Sequence, residues 1–416
     1  MKKLHLLFLF SAPFFLAAQS LVFRPSWVFD GEATHENWEV IVTGSRIEYA
    51  GPRGQHAAGK GAEIRELPGK TLLPGLIEGH SHLLLHPYNE TSWNDQVLIE
   101  SRAERILRAG EHARKTLAAG FTTVRDLGTE GAGYADVGIK EAIEKGVIPG
   151  PRMLVAGPAI VATGSYGPKG FADHVDTPIG ADEGDGVEGL TRLTREQIGK
   201  GVDVVKVYAD YRWGLDGAAM PTFSIEELRA IVETAASSGR PVVAHASTAE
   251  GMRRAILAGV KTIEHGDGGT AEVFRLMAEK GVALCPTLAA GDAILQYRGW
   301  KKGVEPEPER IVQKKESFKA ALAAGVVICA GGDVGVFAHG DNARELEMMV
   351  DYGMPAADVL RSVTSVNADA FGWGDRIGRI RTGLLADLVV VDGRPDRDIR
   401  ALRKVEMVVR GGMIFW

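Results

Sequence analysis

From Thr71 to Gly331 the chain repeats one theme. An amphipathic run closes on a glycine, a short β-branched stretch follows, and a polar loop ends it. Read as strands, the β-branched stretches are Thr71–His82, Gly120–Leu127, Arg152–Ala159, Asp203–Ala209, Pro241–Ala246, Lys261–His265, Val282–Thr287 and Val326–Gly331. The runs between them predict helices that include Ala103–Ala119, Ile225–Ser238, Glu250–Leu257, Ala271–Lys280 and Glu316–Ala324. Gly120, Gly239, Gly259, Gly281 and Gly325 stand where a helix needs a left-handed stop. Strands alternating with helices argue for a parallel α/β architecture. Eight of them favour a closed, TIM-like (β/α)8 barrel over an open doubly wound sheet.

A barrel of about 250 residues leaves both ends of this chain over. Trp38 to Ala50 reads as a hairpin turning at Thr43-Gly44-Ser45. Similar texture returns from Ala386 to Gly393 and from Val405 to Ile414. The two ends are therefore expected to build one small β-sandwich, residues 21–70 with 381–416, around a barrel of residues 71–380. Ahead of them, Met1-Lys2-Lys3, the apolar run Leu6–Leu16 and the small residues Ala17-Ala18-Gln19-Ser20 read as a signal peptide over residues 1–20. Export, to a periplasm or beyond the cell, is the expectation. No later run is long enough for a membrane helix, so no stable membrane insertion is expected once the signal is cleaved. A net charge of −6, without a basic stripe, gives no footprint for nucleic acid. Cys285 and Cys329 could pair in an oxidising compartment, but their apolar runs suit buried free thiols better.

In such a barrel the working groups sit at the C-terminal strand ends. His80 and His82 end the first strand, and the period of two puts both imidazoles on one face, placed to grip a metal. On the fourth strand, alternation turns Val205 and Val207 outward and Val204, Lys206 and Tyr208 inward. An inward ammonium either pairs with an acid such as Asp210 or becomes neutral enough to take up CO2 as a carbamate. His245 and His265 end the fifth and sixth strands, and Asp333 ends the eighth, next to the first in a closed ring.

This pattern resembles the amidohydrolase superfamily, and within it the imidazolonepropionase-like branch with its Xaa-Pro dipeptidases and ochratoxin-degrading amidases. The resemblance spans nearly the whole mature chain. It rests on Leu73-Pro74-Gly75-Leu76-Ile77-Glu78-Gly79-His80-Ser81-His82, on the residues at five strand ends, and on Gly378-Arg379-Ile380 through Asp392-Gly393. It implies two divalent metal ions, with Zn2+ suited to imidazole and oxygen donors. His80, His82 and Asp333 would hold one ion and His245 and His265 the other, with carboxylated Lys206 bridging. It further implies Asp333 as the proton shuttle and a homo-oligomeric assembly.

Two stretches depart from that pattern. Thr163-Gly164-Ser165-Tyr166 stands where many relatives have Thr-Gly-Gly-His, so either Tyr166 serves at the substrate carbonyl or that role is lost. Tyr208-Ala209-Asp210-Tyr211-Arg212-Trp213 replaces a Ser-Gly-Gly run and offers Tyr208 and Arg212 to a substrate carboxylate. The substrate class expected is a small amide with a free carboxylate on its amine side: a dipeptide, an N-acyl amino acid or an ochratoxin-like conjugate. A cyclic amide or lactone hydrolase, and a non-catalytic ligand-binding barrel, are the rival readings. His86 reads as loop decoration, and His174 and His339 as surface residues, with His339 close enough to Asp333 to line the pocket. Asp173–Gly186 reads as an acidic loop over the strand ends, and glycine-rich Gly128–Gly133 forms no phosphate-binding turn.

Overall fold

The computed structural model describes residues 20–415; the signal-peptide reading therefore lies almost wholly outside the described residues. Parallel strands Leu76–Ser81, Phe121–Asp126 and Arg152–Val155 form one arc of the barrel. Val205–Tyr208, Val242–Ala246, Thr262–His265 and Ala283–Cys285 form another, also parallel. The arcs join where Asp203 N–H donates to the Val155 carbonyl at 2.7 Å. On the far side, single parallel bridges link Leu284 to Ile328 and Ser81 to Val334, so residues 328–334 close the ring.

That last segment carries no ladder, contrary to the expected strand over Val326–Gly331. Cys329 N–H reaches Leu284, while Ala330 accepts from Gly79 N–H, so its bonds are divided between two neighbours. A Cβ at Gly331 would lie 2.6 Å from both His80 N and Cys285 Sγ, which leaves no room for a side chain. The strand expected over Thr71–His82 is likewise divided. Glu63–Pro74 belongs to the terminal sheet and Leu76–Ser81 to the barrel. The break falls at Gly75, where a Cβ would run into the Thr122 side chain.

Side-chain alternation sorts the barrel's interior from its exterior. Val204 packs inside with Leu127, Ala156 and Val243, while Val205 and Val207 join the core between sheet and helices. The helices follow their capping chemistry: Ser224 and Glu227 form a reciprocal capping box ahead of Ile225–Ala236, and left-handed Gly259 and Gly281 end Ala249–Ala258 and Ala271–Lys280. A helix over Gly186–Gly199 continues the acidic stretch read as loop, and a short strand, Asp182–Glu183, lies within it. Among the described residues no helix is long and apolar enough to cross a membrane.

The chain ends build a single eight-stranded sheet, in which Ser20–Phe29 and Leu388–Asp392 flank Glu63–Pro74. The sheet curls on itself around Phe23, Val40, Leu72, Leu388 and Val409, and Ala386 N–H meets the Ser45 carbonyl across the fold. Arg152 fastens the sheet to the barrel through two bonds to Asp387, at 2.6 and 3.0 Å.

Candidate metal-dependent active site

All the strand-end residues singled out in the sequence face one cavity of about 200 Å3 except Lys206, which is buried below it. His80 Nε2 and His82 Nε2 lie 3.7 and 3.2 Å from Asp333 Oδ1. One donor atom each from His80, His265 and Asp333 falls within a single cluster tight enough for a metal ion. The His245 and His265 rings meet edge to face at 4.4 Å.

The far nitrogen of each imidazole has a partner, which aims the near one at the cavity. His80 Nδ1 donates to Glu264 Oε2 at 2.9 Å, and His82 Nδ1 donates to the Gly128 carbonyl at 2.9 Å. His265 Nδ1 lies 2.7 Å from Thr287 Oγ1. His245 is reversed: its Nε2 faces Ser247 Oγ at 3.3 Å, and Tyr208 stacks on its ring. Behind His80, Glu264 is buried and bonded to Arg125 Nη2 at 2.8 Å and to the Thr262 hydroxyl. Glu264 directly precedes His265 in the chain, and the sequence alone assigns it no role.

Electrostatics favour neutral imidazoles at His80, His245 and His265, the state that binds metal. Burial, then the nearby Lys206 charge, hold His80 at about 4 and His245 at about 3. Burial opposes charge on His82 as well, yet the Asp333 carboxylate raises it to about 9. Burial would raise Asp333, but His80, His82 and Lys206 hold it at about 2. Burial lowers Lys206, whose ammonium makes no hydrogen bond or ion pair among the described residues. Asp210 is not its partner: that carboxylate accepts from Ser247 N–H, Thr248 N–H and the Thr248 hydroxyl.

The backbone is strained here. Of the five non-glycine residues with positive φ among the described residues, four line this cavity: Glu130, His265, Thr287 and Asp333. Tyr88, Tyr166, Tyr208 and Tyr211 form an aromatic wall, with Arg212 at its edge. The Tyr166 hydroxyl donates to Glu130 Oε2 at 2.6 Å, so its proton is committed to a carboxylate. Glu130 came out of the glycine-rich stretch that held no sequence signal beyond its turns.

Other residues lie elsewhere. His86 is buried and bonded to Glu100 at 2.8 Å, away from the cavity. His339 is buried, not on the surface and not in the pocket: it stacks on His112 at 4.4 Å and faces the carbonyls of His82 and Leu85. His174 is exposed beside Asp173. Cys285 and Cys329 are buried free thiols.

The amidohydrolase family profile matches residues 71–414, strand ends and closing motif together. The chain belongs to the amidohydrolase family. It is a hydrolase acting on amide bonds. The ochratoxinase of Aspergillus niger is 30% identical over 83% of this amidohydrolase and 75% of its own length. A solved Xaa-Pro dipeptidase with methionine bound in its active site is similar at a TM-score of 0.84 and 30% identity, covering 95% of this chain and 100% of that one. A prolidase complexed with N-methylphosphonate-L-proline is similar at a TM-score of 0.81 and 29% identity, covering 95% and 99%.

Proposed function

We propose that this amidohydrolase uses two divalent metal ions, Zn2+ being suited to the donors, to cleave an amide whose amine side is an amino acid with a free carboxylate. The observation that carries the reading is Arg212, a guanidinium at the cavity edge, 5.9 Å from the Tyr211 ring and without an ion pair among the described residues. A carboxylate is its natural partner. The ochratoxinase and Xaa-Pro dipeptidase similarities support the same class of bond.

The residues present fit the metals. His80, His82 and Asp333 would hold one ion and His245 and His265 the other. Lys206, buried and unpaired, would lose its ammonium proton, add CO2 at Nζ and release a second proton, becoming an anionic bridge between them. Bound there, the ions supply a water of lowered pKa and polarise the scissile carbonyl. Asp333 would take up a proton on a carboxylate oxygen and pass it to the leaving nitrogen. Arg212 and Tyr208 hold the carboxylate of the departing amino acid. Export and homo-oligomeric assembly belong to the same proposal; fractionation of the native source and sedimentation test them.

Amino-acid release from Xaa-Pro dipeptides, other dipeptides, N-acyl aromatic amino acids and ochratoxin A tests the reaction. Release from any of these is the expected result, and Arg212→Ala should raise KM about tenfold or more with a smaller change in kcat. Silence across the panel with two metals bound would overturn it and point to ring-opening substrates.

A further inference from the structure

One carboxylate on the cavity wall has no role in holding metal or moving the proton. Glu130 is 4% exposed, and its Oε2 accepts from both the Tyr166 hydroxyl, at 2.6 Å, and Trp93 Nε1, at 2.9 Å. Its Oε1 accepts no hydrogen bond among the described residues, and no cation pairs with the carboxylate. The nearest guanidinium, Arg105, is committed to the carbonyls of Leu84, Thr129 and Glu130, at 3.1, 3.0 and 2.7 Å. Those bonds fix the loop that holds Glu130 at a φ of +49°. The molecule thus spends backbone strain, a buried cation and two side-chain donors on keeping one bare oxygen turned to the cavity. A buried carboxylate with an empty coordination site is costly unless a cation arrives.

Its position says which cation. A methyl group at Gly128 would sit 3.2 Å from Glu130 Oε1 and 3.3 Å from His82 Cε1, so the free oxygen lies beside the metal-binding cluster. The reacting carbonyl must sit at that cluster. An α-ammonium on the acyl residue is only two bonds from the carbonyl carbon, whereas a side-chain ammonium lies several bonds farther off. The aromatic wall runs from Glu130 through Tyr166 and Tyr211 to Arg212, which places an acid and a base at its two ends.

We propose that Glu130 anchors the free α-ammonium of the substrate's acyl residue, so that the substrates of this enzyme are unblocked dipeptides and not N-acyl amino acids. This rests on the amide-hydrolysis reading above and narrows its substrate. A site built to pair a charged nitrogen rejects the analogue that lacks it, because the carboxylate is then left bare.

The test uses the zinc-loaded enzyme with matched substrates, a free dipeptide and its N-acetyl form. The wild type should favour the free dipeptide by at least about tenfold in kcat/KM. Glu130→Gln keeps the shape and an acceptor for Tyr166 and Trp93, and should cut that preference at least about tenfold. Equilibrium dialysis adds a readout apart from turnover: L-methionine should bind the wild type at least about tenfold more tightly than the variant, while N-acetyl-L-methionine shows no such difference. A wild type that treats both substrates alike, or a variant with an unchanged ratio and unchanged methionine affinity, overturns the assignment. If the wild type cleaves neither substrate, the dipeptide reading fails, and methionine affinity alone then decides whether Glu130 anchors an ammonium.

Discussion

Thr287 Oγ1 lies 2.7 Å from His265 Nδ1, and both residues hold left-handed backbone, at φ +50° and +75°. Neither conformation is kept by local chemistry. The Glu345 carboxylate accepts from Leu288 N–H at 3.0 Å and Ala289 N–H at 2.7 Å, capping the helix Leu288–Tyr297 that Thr287 opens without a cap of its own. The bent threonine brings its hydroxyl to the ring, and the acid behind it fixes the bend.

Thr287→Ala should therefore weaken metal binding about 10- to 100-fold, the usual effect of losing a group that orients a metal ligand. Thr287→Ser, which keeps the hydroxyl, should stay within about threefold of wild type. Metal titration with a competing chelator reads both. Equal affinity in the alanine and serine variants would remove the hydroxyl from the account.

Lys206 gives a prediction of opposite sign for stability and activity. Lys206→Met removes a buried ammonium that no group pairs and leaves a side chain of similar length. The metal-free variant should unfold at a temperature equal to or above that of metal-free wild type. It should also bind fewer metal ions and lose turnover, by elemental analysis and by assay. A variant with full activity and two bound metals would remove the bridging carbamate.

Under the site, Arg125 and Glu264 form a buried pair at 2.8 Å, with Phe371 closing over the guanidinium at 4.1 Å. Glu264→Gln leaves that guanidinium without a counter-charge, bonded only to neutral groups such as the Gly79 carbonyl and the Thr262 hydroxyl, and should cost about 3–5 kcal/mol in urea unfolding. Arg125→Met together with Glu264→Gln should recover most of the loss. Burial pushes Glu264 up, but Arg125 and His80 hold it below the usual carboxylate range. Its contribution is therefore present above the unfolded-state pKa and is lost as pH falls through the lower folded value.

The stacked pair His112 and His339 predicts acid sensitivity. Burial lowers His112 from 6.5 to about 4 and holds His339 well below the usual imidazole value. The unfolded chain takes up these protons first, so stability falls as pH drops from 6.5 towards 4. His112 accounts for about 3 kcal/mol of that loss. Urea midpoints measured from pH 7 to pH 4 should fall less steeply in His112→Gln.

Where side-chain period decided the outcome, the sequence was enough to find it. His80 and His82 share a face because a strand repeats every two residues, and Val204, Lys206 and Tyr208 turn inward for the same reason. What depended on contacts between distant segments could not be read. The eighth strand lost its ladder to close approach at Gly331, and the first strand divided at Gly75 because Thr122 occupies the space beside it. Glu130 stayed hidden because only the fold brings Tyr166 and Trp93 to it, from 36 and 37 residues away. The glycines at 128, 131 and 133, all at positive φ, were a signal of a sharply turned loop at a strand end. His339 was misplaced because a polar loop that folds inward has the same composition as one that faces water.

The long strand Glu63–Pro74 runs straight into the strand that carries His80, and its partners are Ser20–Phe29 on one side and Leu388–Asp392 on the other. During synthesis, more than three hundred residues must be made between the strand and its second neighbour, a wait on the order of tens of seconds at translation speeds. Until then the stem behind the first histidine pair is held along one edge only. The strand that leads to His80 thus gains its second edge only after almost every residue has been made.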